Sequence, residues 1–319
     1  MSLVTNQKSL YLHAIKNNYT IPAFNCFDIE SMRAVLDAAV EEDSPAVLQL
    51  CLAMREKVKP MEKFVKYVRD YLSDVGVPVL LHHDHMQTYD QCIEAVNMGI
   101  PSIMFDGSHL PYNENVDITS RIVEYAHKYN VWVEAELGSI PGFEDMIFSS
   151  NSIYTDPEQA KDFIEKTGCD SLSVAVGTAH GGVRADKHLE INFDLLQKIR
   201  EKVGAEYPLV FHGAASLPKE YIDEVNRLGG EVEYLMMCTE ETISKARFYG
   251  VAKANMDVDN FLKYTYSIRK SLTEQPDQFN PFIYNSIASG FMKDACRHKM
   301  SCVTKSSGFG STFNKESGT

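Results

Sequence analysis

The sequence has no pairing pattern for its cysteines. The seven (Cys26, Cys51, Cys92, Cys169, Cys238, Cys296 and Cys302) are odd in number and scattered, with no Cys-x-x-Cys pair. That excludes a disulfide framework and a zinc ribbon, and fits separate thiols in a reducing compartment. No stretch approaches the ~20 apolar residues of a membrane span. The opening residues contain no apolar run of the signal-peptide kind, so a cytoplasmic chain is expected. Positive charge is also scarce: 31 Lys and Arg against 44 Asp and Glu give −13, which argues against nucleic acid or a membrane surface as partner. There is no Gly-x-x-x-x-Gly-Lys loop and no Gly-x-Gly-x-x-Gly after a strand, so nucleotide binding has no support. Internal repeats and a low-complexity core are absent too.

What is present is rhythm. With 319 residues and 44% hydrophobic content the chain can bury a large core. Short apolar or β-branched runs at 21–24, 46–51, 79–83, 102–105, 131–137, 171–175, 209–212 and 253–256 read as strands, with amphipathic stretches between them. Thr88-x-x-Gln91 is a capping box opening a helix that closes near Met98-Gly99. Asp156-Pro157-Glu158-Gln159 supplies an N-cap and a proline at the first helical position, with Gly168 as the stop. Eight strands alternating with helices predict an α/β fold, a (β/α)8 TIM barrel, although an open doubly wound sheet fits the same alternation. Residues 1–300 are expected to form one domain that includes two C-terminal helices, split at Gln275-Pro276 and Asn280-Pro281. Residues 301–319, rich in Ser, Gly and Lys towards the end, are expected to be a flexible tail. The segment 217–250 is longer than one helix needs and holds an acidic stretch at 231–241.

Polar residues collect at the predicted strand ends: His83-Asp84-His85, Thr178-Ala179-His180-Gly181-Gly182, His212-Gly213-Ala214-Ala215-Ser216 and Asn255-Met256-Asp257. In a barrel those ends converge on one mouth, so His85, His180 and His212 can meet from three strands. Three histidines with an open fourth position is the pattern of a catalytic zinc site. Any one of them alone is more often a hydrogen-bonded core or loop residue. Strict alternation puts His83 and His85 on one face and Asp84 on the other, so Asp84 and His85 both reach the mouth only if the strand has turned. The remaining histidines, His188 among them, have no assigned role, and His82 and His83 are ambiguous. Glu134 and Glu136 share a face of the fifth strand, which needs a cation or partner nearby. Asp106 ends the fourth strand and can join them. Glu144-Asp145 lies in a Gly- and Pro-containing loop, where a solvated charge is the simpler reading. Gly213-Ala214-Ala215-Ser216 can present N–H groups and a hydroxyl to a phosphate, or can be a tight turn.

Together Leu81-His82-His83-Asp84-His85, Asp106-Gly-Ser-His-Leu-Pro, Glu134-Ala-Glu-Leu-Gly, Ala175-Val-Gly-Thr-Ala-His-Gly and His212-Gly-Ala-Ala-Ser resemble the class II, metal-dependent fructose-bisphosphate and tagatose-bisphosphate aldolases. The resemblance runs over residues 9–297 in matching order. It implies a (β/α)8 barrel, a homodimer or homotetramer, that splits a ketose (bis)phosphate into dihydroxyacetone phosphate and an aldehyde. It implies zinc on His85, His180 and His212, with Glu136 and Asp106 as ligands of an alternative metal position. Asp84 would move the proton on the C4 hydroxyl, and Glu144 the proton at the nucleophilic carbon. Asn25, Gly181, Gly213, Ser216, Asn255 and Asp257 would hold the sugar phosphate, with a monovalent cation, Na+ or K+, assisting. Cleaving the C3–C4 bond leaves negative charge that a Lewis-acid metal stabilises without a Schiff-base lysine.

Five positions differ from the family's common residues: Met86 for Gly, Cys51 for Ser, Val258 for a hydroxyl residue, Phe261 for Arg, and Pro141-Gly142 for paired glycines. They fall where substrate is read, so the resemblance carries the reaction class and not fructose 1,6-bisphosphate itself. Two other classes stay open at this point: a sugar-phosphate-binding paralogue without catalysis, and a barrel hydrolase with a histidine-bound hydroxide, for which Asp84 and Glu144 would have no task.

Overall fold

The computed structural model describes residues 3–4, 6–144, 147–149, 153–181, 183–184, 189–216 and 219–317. Asp145, Gly182 and His188 lie outside these residues, as does the side chain of Glu144. Strands β1 (Ile21–Asn25), β2 (Ala46–Leu50), β3 (Val79–Met86), β4 (Ser102–Phe105), β5 (Trp132–Leu137), β6 (Ser171–Val174), β7 (Leu209–Phe211) and β8 (Val251–Asn255) close into a barrel. All neighbours are parallel, and β1 pairs both β2 (Ala23↔Val47) and β8 (Ile21↔Lys253), which rules out the open sheet. The expected strands sit within a few residues of the observed ones.

The helix starts follow the local chemistry. Thr88 accepts from the Gln91 N–H and Gln91 reaches back, capping helix Tyr89–Asn97. Asp156 caps helix Pro157–Thr167, which Gly168 ends at φ 69°. Outward-facing strand residues such as Phe24, Leu48, Leu81, Ile103 and Val133 join the helix-facing core. Inside the barrel the packing is layered. Ile21, Ala23, Val47, Leu80 and Trp132 form an apolar layer with Leu10, Tyr11 and Ala14 of helix Gln7–Lys16, and Tyr11 stacks on Trp132 at 4.9 Å. Above it, towards the strands' C-terminal ends, the interior turns polar: Gln49, His82, Asp84, Glu134, His212, Lys253 and Asn255 are all buried.

The segment between β7 and β8 holds helix Lys219–Arg227, a short strand Leu235–Met236 and helix Glu240–Ala246. The short strand pairs antiparallel with Val183–Arg184, beyond the end of β6. Helices Val258–Glu274 and Pro281–His298 follow β8, as expected, with Pro281 at the first turn of the second. No described helix is long and apolar enough to cross a membrane.

The flexible tail expected from residue 301 is a correction. Residues 299–303 form a π-helical turn, and helix Gly310–Ser317 packs back on the barrel's N-terminal end. The Ser/Gly/Lys composition concealed two anchors: Phe309 stacks on Tyr19 at 4.5 Å, and Phe313 is buried against His13. Asp43 then accepts from the Ser311 N–H and hydroxyl, while its carbonyl accepts from the Gly310 N–H. One buried and one half-buried aromatic ring, with a satisfied carboxylate, offset the ordering entropy that the polar residues alone would not.

Candidate active site

The polar upper layer of the barrel is built by period-two alternation. Trp132, Glu134 and Glu136 share one face of β5, and Lys253 and Asn255 share one face of β8. Strand β3 departs from that rule. His85 has φ 46°, and the pairing with β4 shifts between His83 and Met86. The strand turns there, so Asp84 and His85 both face the mouth, as the sequence required. A left-handed histidine is uncommon, and such strain collects at functional positions.

His85, His180 and His212 come together from β3, from the loop after β6 and from the end of β7. One ring nitrogen of each lies within 4.8 Å of the other two, and all three residues are buried. The outer nitrogens decide what the inner ones can do. Asp106 accepts from His85 Nδ1 at 3.2 Å, and Glu134 accepts from His212 Nε2 at 2.8 Å. With those protons committed, His85 Nε2 and His212 Nδ1 face each other at 2.8 Å through lone pairs. Two lone pairs that close repel, and a divalent cation relieves the repulsion. Carboxylate-oriented imidazoles are what a metal-binding histidine set needs, so the residues fit the ion.

Two carboxylates expected as alternative ligands are placed differently from one another. Asp106 also accepts from the Ser108 N–H and hydroxyl, and these donors with His85 outweigh burial and hold its carboxyl well below the usual range. Glu136 accepts from Ser173 Oγ at 3.0 Å, while burial and neighbouring Asp106 push its carboxyl up. Among the described residues, neither belongs to a group of three able to hold a metal.

A second such group, His82, Asp84 and Glu134, already contains a cation. Lys253 Nζ donates to both oxygens of Glu134 at 3.0 Å and lies 3.8 Å from Asp84 Oδ1. Burial pushes the Glu134 carboxyl up, but Lys253 and the His212 hydrogen bond outweigh it and bring it down to about 2. Lys253 is the residue the sequence reading missed. Its signal was legible: in Val251-Ala252-Lys253-Ala254-Asn255 alternation puts a lysine beside Asn255 on the barrel's inner face.

Asp84 is held at both oxygens. His82 Nε2 donates to Oδ1 at 3.2 Å, and Asn255 Nδ2 donates to Oδ2 at 2.7 Å. Gln49 Nε2 donates to Asn255 Oδ1, which fixes the amide's orientation, and Ser102 Oγ reaches His82 Nδ1 at 2.7 Å. Burial alone raises the Asp84 carboxyl, yet Lys253 and the His82 hydrogen bond hold it well below the usual range. It is therefore ionised beside the histidines. His83, by contrast, is pushed down to about 4 by burial and points its Nδ1 at the Asp84 carbonyl, a structural role.

Next to this network opens a cavity of about 340 Å3 lined by Asn25, Gly181, Gly213, Asn255 and Asp257 on its polar side. Ala53, Ala215, Met237, Val258 and Phe261 make the apolar side. Asp257 accepts from the Asn25 N–H at 2.6 Å and from Asn25 Nδ2 at 3.0 Å, fixing that side chain over the strand ends. Gly213, at φ 60°, allows the loop after β7 to pass against the His180 segment: a Cβ there would lie 2.4 Å from the Ala179 carbonyl oxygen. Ser216 is not among the lining residues, and its hydroxyl donates to Glu240 at 3.3 Å. Glu144 ends the short strand Gly142–Glu144 beside His180, and its side chain lies outside the description. A larger cavity of about 1000 Å3, between Gln7, Arg69, Pro101, His127 and Trp132, opens at the opposite end of the barrel, where none of these groups lie.

A family model described as Fructose-bisphosphate aldolase class-II matches residues 5–308. The chain is 36% identical to the fructose-bisphosphate aldolase of Treponema pallidum over 96% of this chain and 97% of that one. It is 36% identical to the fructose-bisphosphate aldolase of Giardia intestinalis over 85% of this chain and 84% of that one. Among solved structures it is similar to the YdjI aldolase of Escherichia coli K12, with 26% identity, a TM-score of 0.75, and 95% and 98% of the two chains covered. A closed barrel, three oriented histidines at its mouth and similarity along nearly the whole chain agree: this protein belongs to the class-II fructose-bisphosphate aldolase family.

Proposed function

We propose that the chain is a zinc-dependent aldolase that reversibly cleaves a ketose phosphate to dihydroxyacetone phosphate and an aldehyde. The observation that carries this reading is the pair of inward nitrogens, His85 Nε2 and His212 Nδ1, facing each other at 2.8 Å with their outer protons given to Asp106 and Glu134. With His180 they would hold the ion. Zinc there supplies Lewis acidity against the negative charge that carbon–carbon cleavage leaves on the three-carbon fragment.

The chain's own residues do the rest. Asp84, ionised and held by Asn255 and His82, takes and returns the proton of the C4 hydroxyl. Glu144 serves the nucleophilic carbon, because the hydroxyl and the carbon exchange protons at different steps. Gly181 and Gly213 offer backbone to the phosphate, with Ser216 behind them, and Asn25, Asn255 and Asp257 orient the sugar. Asn25 Oδ1 is buried without a hydrogen-bond partner among the described residues, an acceptor suited to a substrate hydroxyl or a monovalent cation, Na+ or K+.

The substrate's far end is the finer part of the proposal. Val258, Met237 and Phe261 line the cavity, and Phe261 stays 39% exposed, edge-on to Phe27 at 5.7 Å. An aromatic wall supplies no charge to a distal phosphate. Relatives named fructose-bisphosphate aldolase favour a bisphosphate, and this wall favours weak dependence on its second phosphate. Cleavage assays across fructose, tagatose and other ketose phosphates, with and without the distal phosphate, test both. Chelation should remove cleavage and zinc restore it, with less than about tenfold lost in kcat/KM when the distal phosphate is absent. A loss of roughly a hundredfold, the scale of one or two charge-assisted hydrogen bonds, would show that phosphate to be gripped after all.

A further inference from the structure

The loop that carries Glu144 leaves β5 through Gly138-Ser139-Ile140-Pro141-Gly142, and it is docked on the main chain of His180. At its base Ser139 and Ile153 exchange both backbone hydrogen bonds, at 2.8 and 3.0 Å. Two residues on, the His180 N–H donates to the Pro141 carbonyl at 2.8 Å, and Gly142 forms a bridge with His180. From there the chain runs into a hairpin, Gly142–Glu144 against Ile147–Ser149, with Glu144 opposite Ile147. On its other side the His180 segment continues into Val183–Arg184, which pairs with Leu235–Met236.

Only glycine fits the docking position. Gly142 has φ 119°, and a Cβ there would lie 1.8 Å from the His180 carbonyl oxygen and 2.7 Å from its carbonyl carbon. Those are backbone atoms, which cannot swing aside as a side-chain end can. Proline at 141 stiffens the approach and leaves its carbonyl as the acceptor for His180.

We propose that Gly142 is a positioning residue that clips the Glu144 hairpin to His180, so that filling the three-histidine site fixes where the hairpin stands. This rests on the reading that His85, His180 and His212 hold the metal. A metal that immobilises the His180 ring also immobilises the main chain to which Pro141 and Gly142 are bound. Linkage then works both ways: if the ion favours the docked hairpin, the docked hairpin favours the ion.

The test is hydrogen exchange of the full chain, loaded with zinc and after chelation, with zinc affinity measured by chelator competition. Amides of 142–144 and 147–149 should slow together with His180 when zinc is bound. Gly142→Ala should abolish that response and weaken zinc by roughly 10- to 100-fold, the range seen when a support of a metal ligand is removed. Gly204→Ala is the control, because Gly204 also has positive φ but no atom within 4 Å of its would-be Cβ; it should lose stability alone. Zinc binding with no change in hairpin exchange overturns the clip and leaves the metal site standing. A Gly142→Ala protein with wild-type zinc affinity also overturns it. Failure of the wild type to bind zinc removes the metal reading and this inference together.

Discussion

Asp84→Ala removes turnover and leaves the zinc content of the protein unchanged. The expected fall in kcat is about 10²- to 10⁴-fold, the share general acid–base catalysis commonly contributes. Zinc should stay because Asp84 does not orient the histidines: Asp106 holds His85 and Glu134 holds His212. Turnover should go because no neighbour can replace the carboxylate. Asn255 and Gln49 do not titrate, and burial with Lys253 beside it keeps His82 neutral. Metal analysis beside steady-state kinetics reads both halves. Loss of zinc along with activity would make Asp84 part of the metal's holding apparatus and leave the C4 proton without a carrier.

Lys253→Met has the larger effect on folding. Lys253 is wholly buried, and its ammonium is the cation that lets Glu134 be ionised in the barrel. Breaking a buried pair by removing one partner costs roughly 3–5 kcal/mol, because the charge left behind is uncompensated. The sign with pH follows. Glu134 has a folded pKa depressed to about 2, so its contribution is present above the unfolded carboxylate range and lost as pH falls through the folded value. Without Lys253, burial drives Glu134 upward and the penalty is felt at neutral pH. The stability gap between wild type and variant, read from urea midpoints, should therefore narrow on acidification. Adding Glu134→Gln to Lys253→Met should recover part of the loss, since the pair is coupled. A single variant as stable as wild type would mean Glu134 is neutral and Lys253 incidental.

The barrel was legible because its signals are local. Strand runs, the Thr88 capping box and the Pro157 and Gly168 boundaries are each determined by a few neighbouring residues, and all recur in the structure. The three histidines were legible because two lie at strand ends, the third in the loop that follows one, and the barrel brings those ends together. What escaped depends on long-range packing. Phe309 and Phe313 order the C-terminal residues only because Tyr19 and His13 wait 290 and 300 positions away. Ser216 has the right sequence neighbours for a phosphate contact, yet it spends its hydroxyl on Glu240, at the start of helix Glu240–Ala246. Lys253 was overlooked for another reason: a lysine inside an apolar run looks like a strand edge until the opposing Glu134 is seen. For Glu144 the sequence supplies only the loop. What that loop rests on, His180, is visible only in the fold.

The proposed aldol chemistry turns on one event, removal of a proton from carbon beside the carbonyl of dihydroxyacetone phosphate at the three-histidine site. The direct measurement is exchange of the C3 proton of that compound in deuterated water, followed by NMR with zinc-loaded and chelated protein. The zinc-loaded protein should wash out one of the two C3 protons stereospecifically and the chelated protein neither. Exchange that survives chelation, or tight binding of the compound by zinc-loaded protein without exchange, would contradict it.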